Sequence, residues 1–260
     1  MDADRRTLLA AAAGLALAAG GPAARADLVA VIAAARPSIV PVGTYSETAN
    51  PRFGFRGSGF VVGDGQLVAT NFHVLPPELP ADGGGPQLAV LADRTPTGGQ
   101  LRRARVVASD RNHDLALLRI DGTPLPALTL AEPGSAREGQ AIALIGFPIG
   151  GTLGFAPVSH RGIVASITTV ALPAPTSRQL DTRAIARLRE GNFEVFQLDA
   201  TAYPGNSGGP VLDAASGRVL AIVNMVLVRG SRESALANPT GITYAIPVRH
   251  LHELLKQVGR

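Results

Sequence analysis

The sequence predicts a mostly β protein, built as two six-stranded antiparallel barrels and followed by a C-terminal helix. Glycine and proline are abundant, with 30 and 20 residues among 260, and they separate short apolar runs of strand length. The runs fall into two sets of six, with a connection at residues 122–139 between them. Six strands at this spacing suit one small closed barrel, so two sets predict two barrels.

The first barrel is expected at about residues 37–121. A short apolar helix over residues 28–35 precedes it and ends at Arg36 and Pro37, because proline disfavours helical backbone in the residue before it. The loops between its strands are rich in proline and glycine, notably at residues 76–86. The six predicted strands are residues 39–45, 57–62, 67–71, 87–93, 102–109 and 115–120.

The second barrel is expected at about residues 140–248. Its six predicted strands are residues 141–147, 159–169, 193–200, 209–212, 219–228 and 242–247. Apolar residues at helical spacing predict a short helix over residues 176–191, and an amphipathic pattern predicts the closing helix over residues 249–258. Two barrels of equal size would place a functional site in the cleft between them.

Residues 1–26 have the pattern of a signal peptide. The pair Arg5-Arg6 precedes an apolar stretch over residues 8–19, and small residues at 24–26 suit a cleavage site before Asp27. The arginine pair is compatible with twin-arginine export, and a Sec signal is the alternative. An uncleaved anchor is a third reading, although the stretch is short for a membrane span and is interrupted by Gly14. The expected location is therefore periplasmic or secreted, with no stable membrane span once the signal is removed.

The composition narrows the classes of function. The chain has no cysteine, which excludes disulfides and thiol chemistry. The formal net charge is only +4, and 4% of the residues are aromatic. The sequence has no run of basic residues with aromatic residues between them, so a nucleic-acid partner is not expected. No motif indicates a cofactor or a metal site, and we expect neither.

The stretch PGNSGGPV at residues 204–211 is the most informative motif. Glycines around a lone serine allow a sharp turn that presents one hydroxyl and nearby backbone N–H groups to the same point. We predict Ser207 as a nucleophile and the turn of Gly205, Asn206 and Ser207 as its oxyanion hole, formed by the N–H groups of Gly205 and Ser207. A plain turn before a strand is the simpler alternative.

A serine nucleophile needs a base, and the base needs a group that orients it. His73 follows the predicted strand 67–71 within the stretch TNFHV. Asp114 stands where a polar loop enters the strand 115–120, within the stretch DLALLRI. Of the other histidines, His113 is expected in an exposed loop, His160 at a turn, and His250 and His252 on a polar helix; none is expected to be catalytic.

The order His73, Asp114, Ser207, with these three contexts, resembles the chymotrypsin-fold serine proteases. The blocks GSGF, TNFHV, DLALL and PGNSGGP are most similar to the bacterial HtrA/Deg branch, and the resemblance covers residues 36–247. It implies that residues 27–260 form a trypsin-like serine endopeptidase domain acting on protein or peptide substrates in exported protein quality control or processing. The resemblance is also compatible with assembly of the protein as a homo-oligomer. Too few residues follow the last helix for the PDZ domain of many relatives, so none is expected in this chain.

The resemblance also implies where substrate specificity lies. Thr201, six residues before the nucleophile, would form the floor of the primary pocket, and the strand containing Val223, Asn224 and Met225 would form a wall and pair with the substrate backbone. Because Thr201 carries no negative charge, we expect cleavage after small or medium apolar residues rather than after Lys or Arg.

Two other readings compete with an active endopeptidase. The first is a protease-fold binding protein whose site is inactive or only conditionally ordered, because fold alone does not imply activity. The segment GFPIG at residues 146–150 resembles the start of the activation-sensitive loop of HtrA-like enzymes, and a plain turn is the alternative. The second is an α/β-hydrolase esterase, which fails because those chains place the serine before the acid and the histidine.

Overall fold

The structure is a computed structural model, and it describes residues 27–77, 85–95, 98–150, 154–170, 193–225 and 241–259. The predicted signal peptide and the predicted helix over residues 176–191 lie outside the described residues. Helix α1 spans Leu28–Ala35, as predicted, and the side chain of Asp27 caps it by accepting a hydrogen bond from the N–H of Val29. Neither of the helices in the described ranges has the length and apolarity that crossing a bilayer requires.

The first six strands form a closed antiparallel barrel with the order β1-β2-β3-β6-β5-β4. Closure leaves no free sheet edge, and alternate side chains point inward to fill the barrel. The interior is formed mainly by valine and leucine side chains that solvent does not reach, including Val61, Val68 and Leu118. The strands are β1 Ile39–Tyr45, β2 Phe53–Val62, β3 Leu67–Asn71, β4 Gln87–Thr95, β5 Gly98–Asp110 and β6 Leu115–Ile120.

The second six strands form another closed barrel with the order β10-β11-β12-β9-β8-β7. Its interior is a separate apolar cluster that includes Leu144, Leu198 and Val223. The strands are β7 Ala141–Gly146, β8 Val158–Val170, β9 Phe193–Asp199, β10 Pro210–Asp213, β11 Val219–Asn224 and β12 Ile242–Pro247. The predicted fold class, two six-stranded antiparallel barrels, is confirmed.

A third apolar cluster joins the two barrels. Phe60 and Leu117 from the first barrel pack in it with Phe147 and Ile222 from the second. The connection at residues 122–139 is bonded to both barrels, since the N–H of Leu128 donates to a β2 carbonyl and that of Ala131 donates to a β11 carbonyl. The two barrels therefore share one interface, on which the site residues converge.

Helix α2, Val248–Val258, closes the described chain and packs against β5 and β6 of the first barrel. Its buried side chains include Leu251 and Leu254, each of which contributes about 1.5–3 kcal/mol when fully buried. His250 is also buried, with 6% of its surface exposed. His250 was expected on a polar helix, and its burial corrects that expectation for this residue.

Candidate active site

His73 and Asp114 form a tightly bonded pair at the edge of the first barrel. His73 lies in the 3₁₀ turn that follows β3, and Asp114 lies between β5 and β6. The Nδ1 atom of His73 is 2.6 Å from Oδ2 of Asp114, and the backbone N–H of His73 donates to Oδ1 at 2.8 Å. A carboxylate only accepts hydrogen bonds, so Nδ1 carries the ring proton and Nε2 has the free lone pair that a general base requires.

The backbone of Asp114 has a positive φ of 53°, which is uncommon for a residue other than glycine. Two hydrogen bonds to its carbonyl stabilise this conformation, one from the side chain of Asn71 and one from the N–H of Phe72, both at 3.0 Å. Strained backbone of this kind costs on the order of 1 kcal/mol and is found most often at functional sites. Here it turns the carboxylate towards His73.

Asn224, the last residue of β11, completes the surroundings of the carboxylate. Its Nδ2 donates to Oδ2 of Asp114 at 2.7 Å, and its side chain is 1% exposed. Sequence reasoning assigned Asn224 to the wall of the substrate pocket and missed this contact, because the two residues come from different barrels. Within the described residues, the carboxylate thus accepts three hydrogen bonds, which fix its position.

The nucleophile turn depends on glycine at two positions. Gly205 has a φ of 103° and Gly208 has a φ of 84°, both in the region that L side chains rarely adopt. A Cβ on Gly205 would collide with the carbonyl of Phe147, and one on Gly208 would collide with the carbonyl of Ser58. Both glycines are therefore required for the turn that carries Ser207, which is 5% exposed.

Asn206 belongs to the predicted oxyanion turn, and its own N–H is engaged within that turn. The N–H of Asn206 donates to the carbonyl of Tyr203 at 2.9 Å, so it is not available to an oxyanion. The carbonyl of Pro204 accepts from the N–H of Ile149 at 2.7 Å. Since the C=O and N–H of a trans peptide point in opposite directions, the N–H of Gly205 points away from Ile149. Within the described residues, the N–H groups of Gly205 and Ser207 have no hydrogen-bond partner.

The hydroxyl of Ser207 accepts a long hydrogen bond, 3.3 Å, from the backbone N–H of Met225. No hydrogen bond joins Ser207 to His73 in the part of the chain that the structure describes. In proteins without substrate, the bond between nucleophile and base is often loose and tightens when substrate binds.

The residues predicted to line the substrate pocket have different surroundings. The side chains of Thr201 and Met225 are partly exposed. Val223 is fully buried in the core of the second barrel, and its N–H and C=O pair with Gly209 and Gly208. Val223 therefore supports the nucleophile turn from behind, and the prediction that it contacts substrate is wrong. Residues 226–240, which continue this strand in the sequence, lie outside the described residues.

A second cluster of charged and aromatic groups lies near the pair of His73 and Asp114. The rings of His113 and His250 stack with their centroids 3.7 Å apart, and the edge of the Phe193 ring lies against them. His113 is about a quarter exposed and its Nδ1 is 2.6 Å from Oδ2 of Asp110, which corrects the expectation of an exposed loop histidine. Burial first, and then the charges of His113 and Arg249, lower the pKa of His250 to about 4.

His160 lies in strand β8, opposite Leu144 of β7, rather than at the predicted turn. Its ring centroid is 5.9 Å from that of Tyr203, and its Nε2 is buried without a hydrogen-bond partner among the described residues. Burial lowers the pKa of His160, so the ring is neutral near pH 7. Within the described ranges, no group of three or more His, Asp or Glu side chains is placed to hold a metal ion.

The sequence over residues 57–222 matches the family model described as the trypsin-like peptidase domain. The chain belongs to this family. A DegP-like periplasmic serine endoprotease of Pseudomonas fluorescens is 31% identical over 192 residues, covering 74% of this chain and 32% of the relative. The serine protease HhoA of Synechocystis is 29% identical over 199 residues, covering 76% of this chain and 41% of the relative. The chain thus spans well under half the length of these curated relatives.

Solved structures agree with this family membership. An HtrA-type protease, AlgW with a tripeptide, superposes with a TM-score of 0.62 at 25% identity, covering 89% of this chain and 63% of the other. A serine endoprotease from Yersinia pestis has a TM-score of 0.61 at 24% identity, covering 90% of this chain and 67% of the other, and shows the shared fold. The predicted resemblance to the HtrA/Deg branch is confirmed.

Proposed function

We propose that this protein is a serine endopeptidase that hydrolyses peptide bonds through His73, Asp114 and Ser207. The observation that carries the proposal is the pairing of Nδ1 of His73 with the carboxylate of Asp114, which leaves Nε2 as a base. The glycine-rich turn that carries Ser207 supports it as the source of the nucleophile. Membership in the trypsin-like peptidase family supports it.

In the proposed reaction, Oγ of Ser207 attacks the substrate carbonyl while Nε2 of His73 takes its proton. Asp114 stabilises the imidazolium that forms and keeps the ring in one orientation. The N–H groups of Gly205 and Ser207 bind the developing oxyanion, and loss of one such donor costs roughly 3 kcal/mol of transition-state stabilisation. His73 then protonates the leaving amine. In the second half of the reaction, water attacks the acyl-enzyme while His73 takes its proton, and His73 returns that proton to Oγ of Ser207 as the acyl group leaves.

Labelling with a fluorophosphonate probe tests the nucleophile directly. The mature protein should be labelled at Ser207, and Ser207→Ala should abolish labelling and lower peptide turnover by on the order of a million-fold with the fold intact. Ser216→Ala is the matched control, since Ser216 lies on an exposed turn of the same barrel. Near-normal turnover in Ser207→Ala would refute the assignment.

The pocket chemistry supports a preference for small or medium apolar residues before the scissile bond: Ala, Val, Ile or Leu. Thr201, the proposed floor, and Met225 are partly exposed and carry no charge that could pair with Lys or Arg. Profiling with a peptide library tests this preference. Cleavage restricted to sites after lysine would contradict it.

The cellular setting is proposed from the sequence of residues 1–26 and from the relatives named as periplasmic. In this setting the protein acts on exported proteins, in quality control or processing, and forms a homo-oligomer if it assembles as HtrA-like proteins do. Cell fractionation and mass measurement of the exported protein test the location and the cleavage before Asp27.

A protease-fold binding protein is the second candidate. The observation that favours it is that no hydrogen bond joins Ser207 to His73 in the described residues and that Ser207 is only 5% exposed. A folded protein that binds peptides but is never labelled at Ser207 would support this candidate over the first.

A further inference from the structure

Ser58, in strand β2 of the first barrel, is fully buried and contacts the nucleophile turn with two of its polar groups. Its backbone N–H donates to the carbonyl of Ser207 at 2.8 Å. Its hydroxyl donates to the carbonyl of Gly205 at 2.6 Å. One residue of the first barrel therefore binds the carbonyl groups on either side of Asn206, in the turn that belongs to the second barrel.

The same hydroxyl oxygen also accepts a hydrogen bond, from the N–H of Phe147 at 2.9 Å. Phe147 begins the segment that continues to Ile149, whose N–H binds the carbonyl of Pro204. The Ser58 hydroxyl thus serves as a donor to the nucleophile turn and as an acceptor for the segment that orients the Pro204–Gly205 peptide. Only a side chain with both capacities at one atom can do this in a buried position.

Ser58 is in turn fixed by the strand that leads to His73. The hydroxyl of Thr70, in β3, donates to the carbonyl of Ser58 at 2.7 Å, and both residues are fully buried. Hydrogen bonds therefore run from the base-bearing strand through Ser58 to the turn that carries Ser207. The mutual placement of base and nucleophile depends on this connection.

We propose that Ser58 is a positioning residue for the reaction, holding the carbonyls of Gly205 and Ser207 so that the nucleophile and the oxyanion donors keep their orientation. The remaining carbonyls of the turn have other partners, since Pro204 binds Ile149 and Asn206 binds the N–H of Gly209 at 2.9 Å. Without the hydroxyl, the partly buried carbonyl of Gly205 would lose its Ser58 donor, and the N–H of Phe147 would lose the Ser58 acceptor. The turn would then shift to recover a donor for the Gly205 carbonyl, because a desolvated carbonyl without a hydrogen bond is costly.

The test compares Ser58→Ala with Thr243→Val. Thr243 is a buried residue of the second barrel whose hydroxyl donates to the carbonyl of Ala200 at 2.7 Å, so Thr243→Val removes a bond of the same type without touching the nucleophile turn. For each variant, kcat, KM, the affinity for a peptide boronate and the free energy of unfolding are measured. The boronate mimics the tetrahedral intermediate, so its affinity reports the oxyanion site and not the fold.

The inference rests on Ser207 being the nucleophile. For Ser58→Ala we expect kcat to fall by about 10- to 100-fold, boronate affinity to fall in parallel and KM to stay unchanged. Thr243→Val should lower the free energy of unfolding by an amount similar to Ser58→Ala, with kcat unchanged. Unchanged kcat and boronate affinity in a folded Ser58→Ala variant would overturn the positioning role while leaving the proposed function in place. A wild-type chain without turnover would overturn both.

If Ser58→Ala does not fold, Thr70→Val provides the second measurement. This change removes the bond to the Ser58 carbonyl and keeps the side-chain volume. We expect a decrease of kcat by several-fold with boronate affinity following it, and equal values for wild type and Thr70→Val would contradict the proposal. Partial recovery of kcat in Ser58→Cys, relative to Ser58→Ala, would support it, because a thiol is a weak donor and acceptor at the same place.

Discussion

His250 makes the protein less stable in acid, and the expected size of the effect follows from its surroundings. The ring is 6% exposed, and its Nε2 accepts a hydrogen bond from Nε of Arg249 at 3.2 Å. A proton on Nε2 would therefore face another donor. The stacked ring of His113 adds repulsion if it is also charged. Among the described groups around His250, Glu253 favours the protonated form, with its Oε2 3.4 Å from Nδ1.

Because the pKa of His250 is lowered from 6.5 to about 4 in the folded protein, the unfolded chain binds more protons between these values. The contribution of the uncharged His250 ring to the free energy of unfolding is complete above pH 6.5 and is lost as the pH falls towards 4. Integrating this difference down to about pH 4.5 gives a loss of at most about 2.5 kcal/mol. Asp110 and Asp213, whose pKa values are already below 3.8 in the folded protein, contribute only at lower pH.

The assay is urea unfolding of wild type and His250→Gln between about pH 7.5 and pH 4.5, with His252→Gln as the control from the same helix. Wild type and the control should lose stability on acidification, and His250→Gln should lose less by up to about 2.5 kcal/mol. His160 titrates in all three proteins and cancels in the comparison. Parallel pH profiles for all three would show that His250 titrates normally and would refute the reasoning.

Three further predictions address the turn, the carboxylate and the core. Gly205→Ala should lower kcat by about 100-fold or more, measured with peptide substrate, because the added Cβ meets the Phe147 carbonyl and displaces one oxyanion donor; activity near wild type would contradict this. Asn224→Ala should destabilise the protein by about 1.5–3 kcal/mol in urea unfolding, since the Asp114 carboxylate loses a partly buried hydrogen bond; a change near zero would show that another donor replaces it. Phe60→Ala should cost about 3–5 kcal/mol by the same assay, and a much smaller loss would mean that the barrel interface collapses around the gap.

The sequence predicted those features that are encoded within short segments. The glycines around Ser207 identify a sharp turn without any tertiary information, and the alternation of apolar runs with glycine and proline identifies the barrels. The start of β2 was predicted too late: the predicted strand begins at residue 57, whereas β2 begins at Phe53, which pairs with Tyr45 across the hairpin. Local sequence signals cannot show that a neighbouring strand, here β1, provides the hydrogen bonds that extend β2.

Contacts between distant segments could not be predicted in this way. Asn224 and Asp114 are 110 residues apart in the sequence, and Ser58 and Gly205 are 147 apart, so no periodicity relates them. His250 was expected on a polar helix, but its ring is buried and stacks on His113 of the first barrel, a contact that no helical pattern encodes. The hydrogen bond from the N–H of Asn206 to the carbonyl of Tyr203 could not be predicted either, because it depends on the backbone conformation of the turn.

The packing of α2 against β5 and β6 has a consequence for how the chain folds during synthesis. The outer surface of the first barrel is covered only when residues 248–258 have left the ribosome, although its own strands are complete by Ile120. Until α2 is synthesised, the apolar surface that it covers on the first barrel stays exposed to solvent. We therefore expect both barrels to complete their folding together, when α2 docks. Amide hydrogen exchange in β5 and β6 should consequently follow the opening of α2, so that both barrels unfold as one cooperative unit.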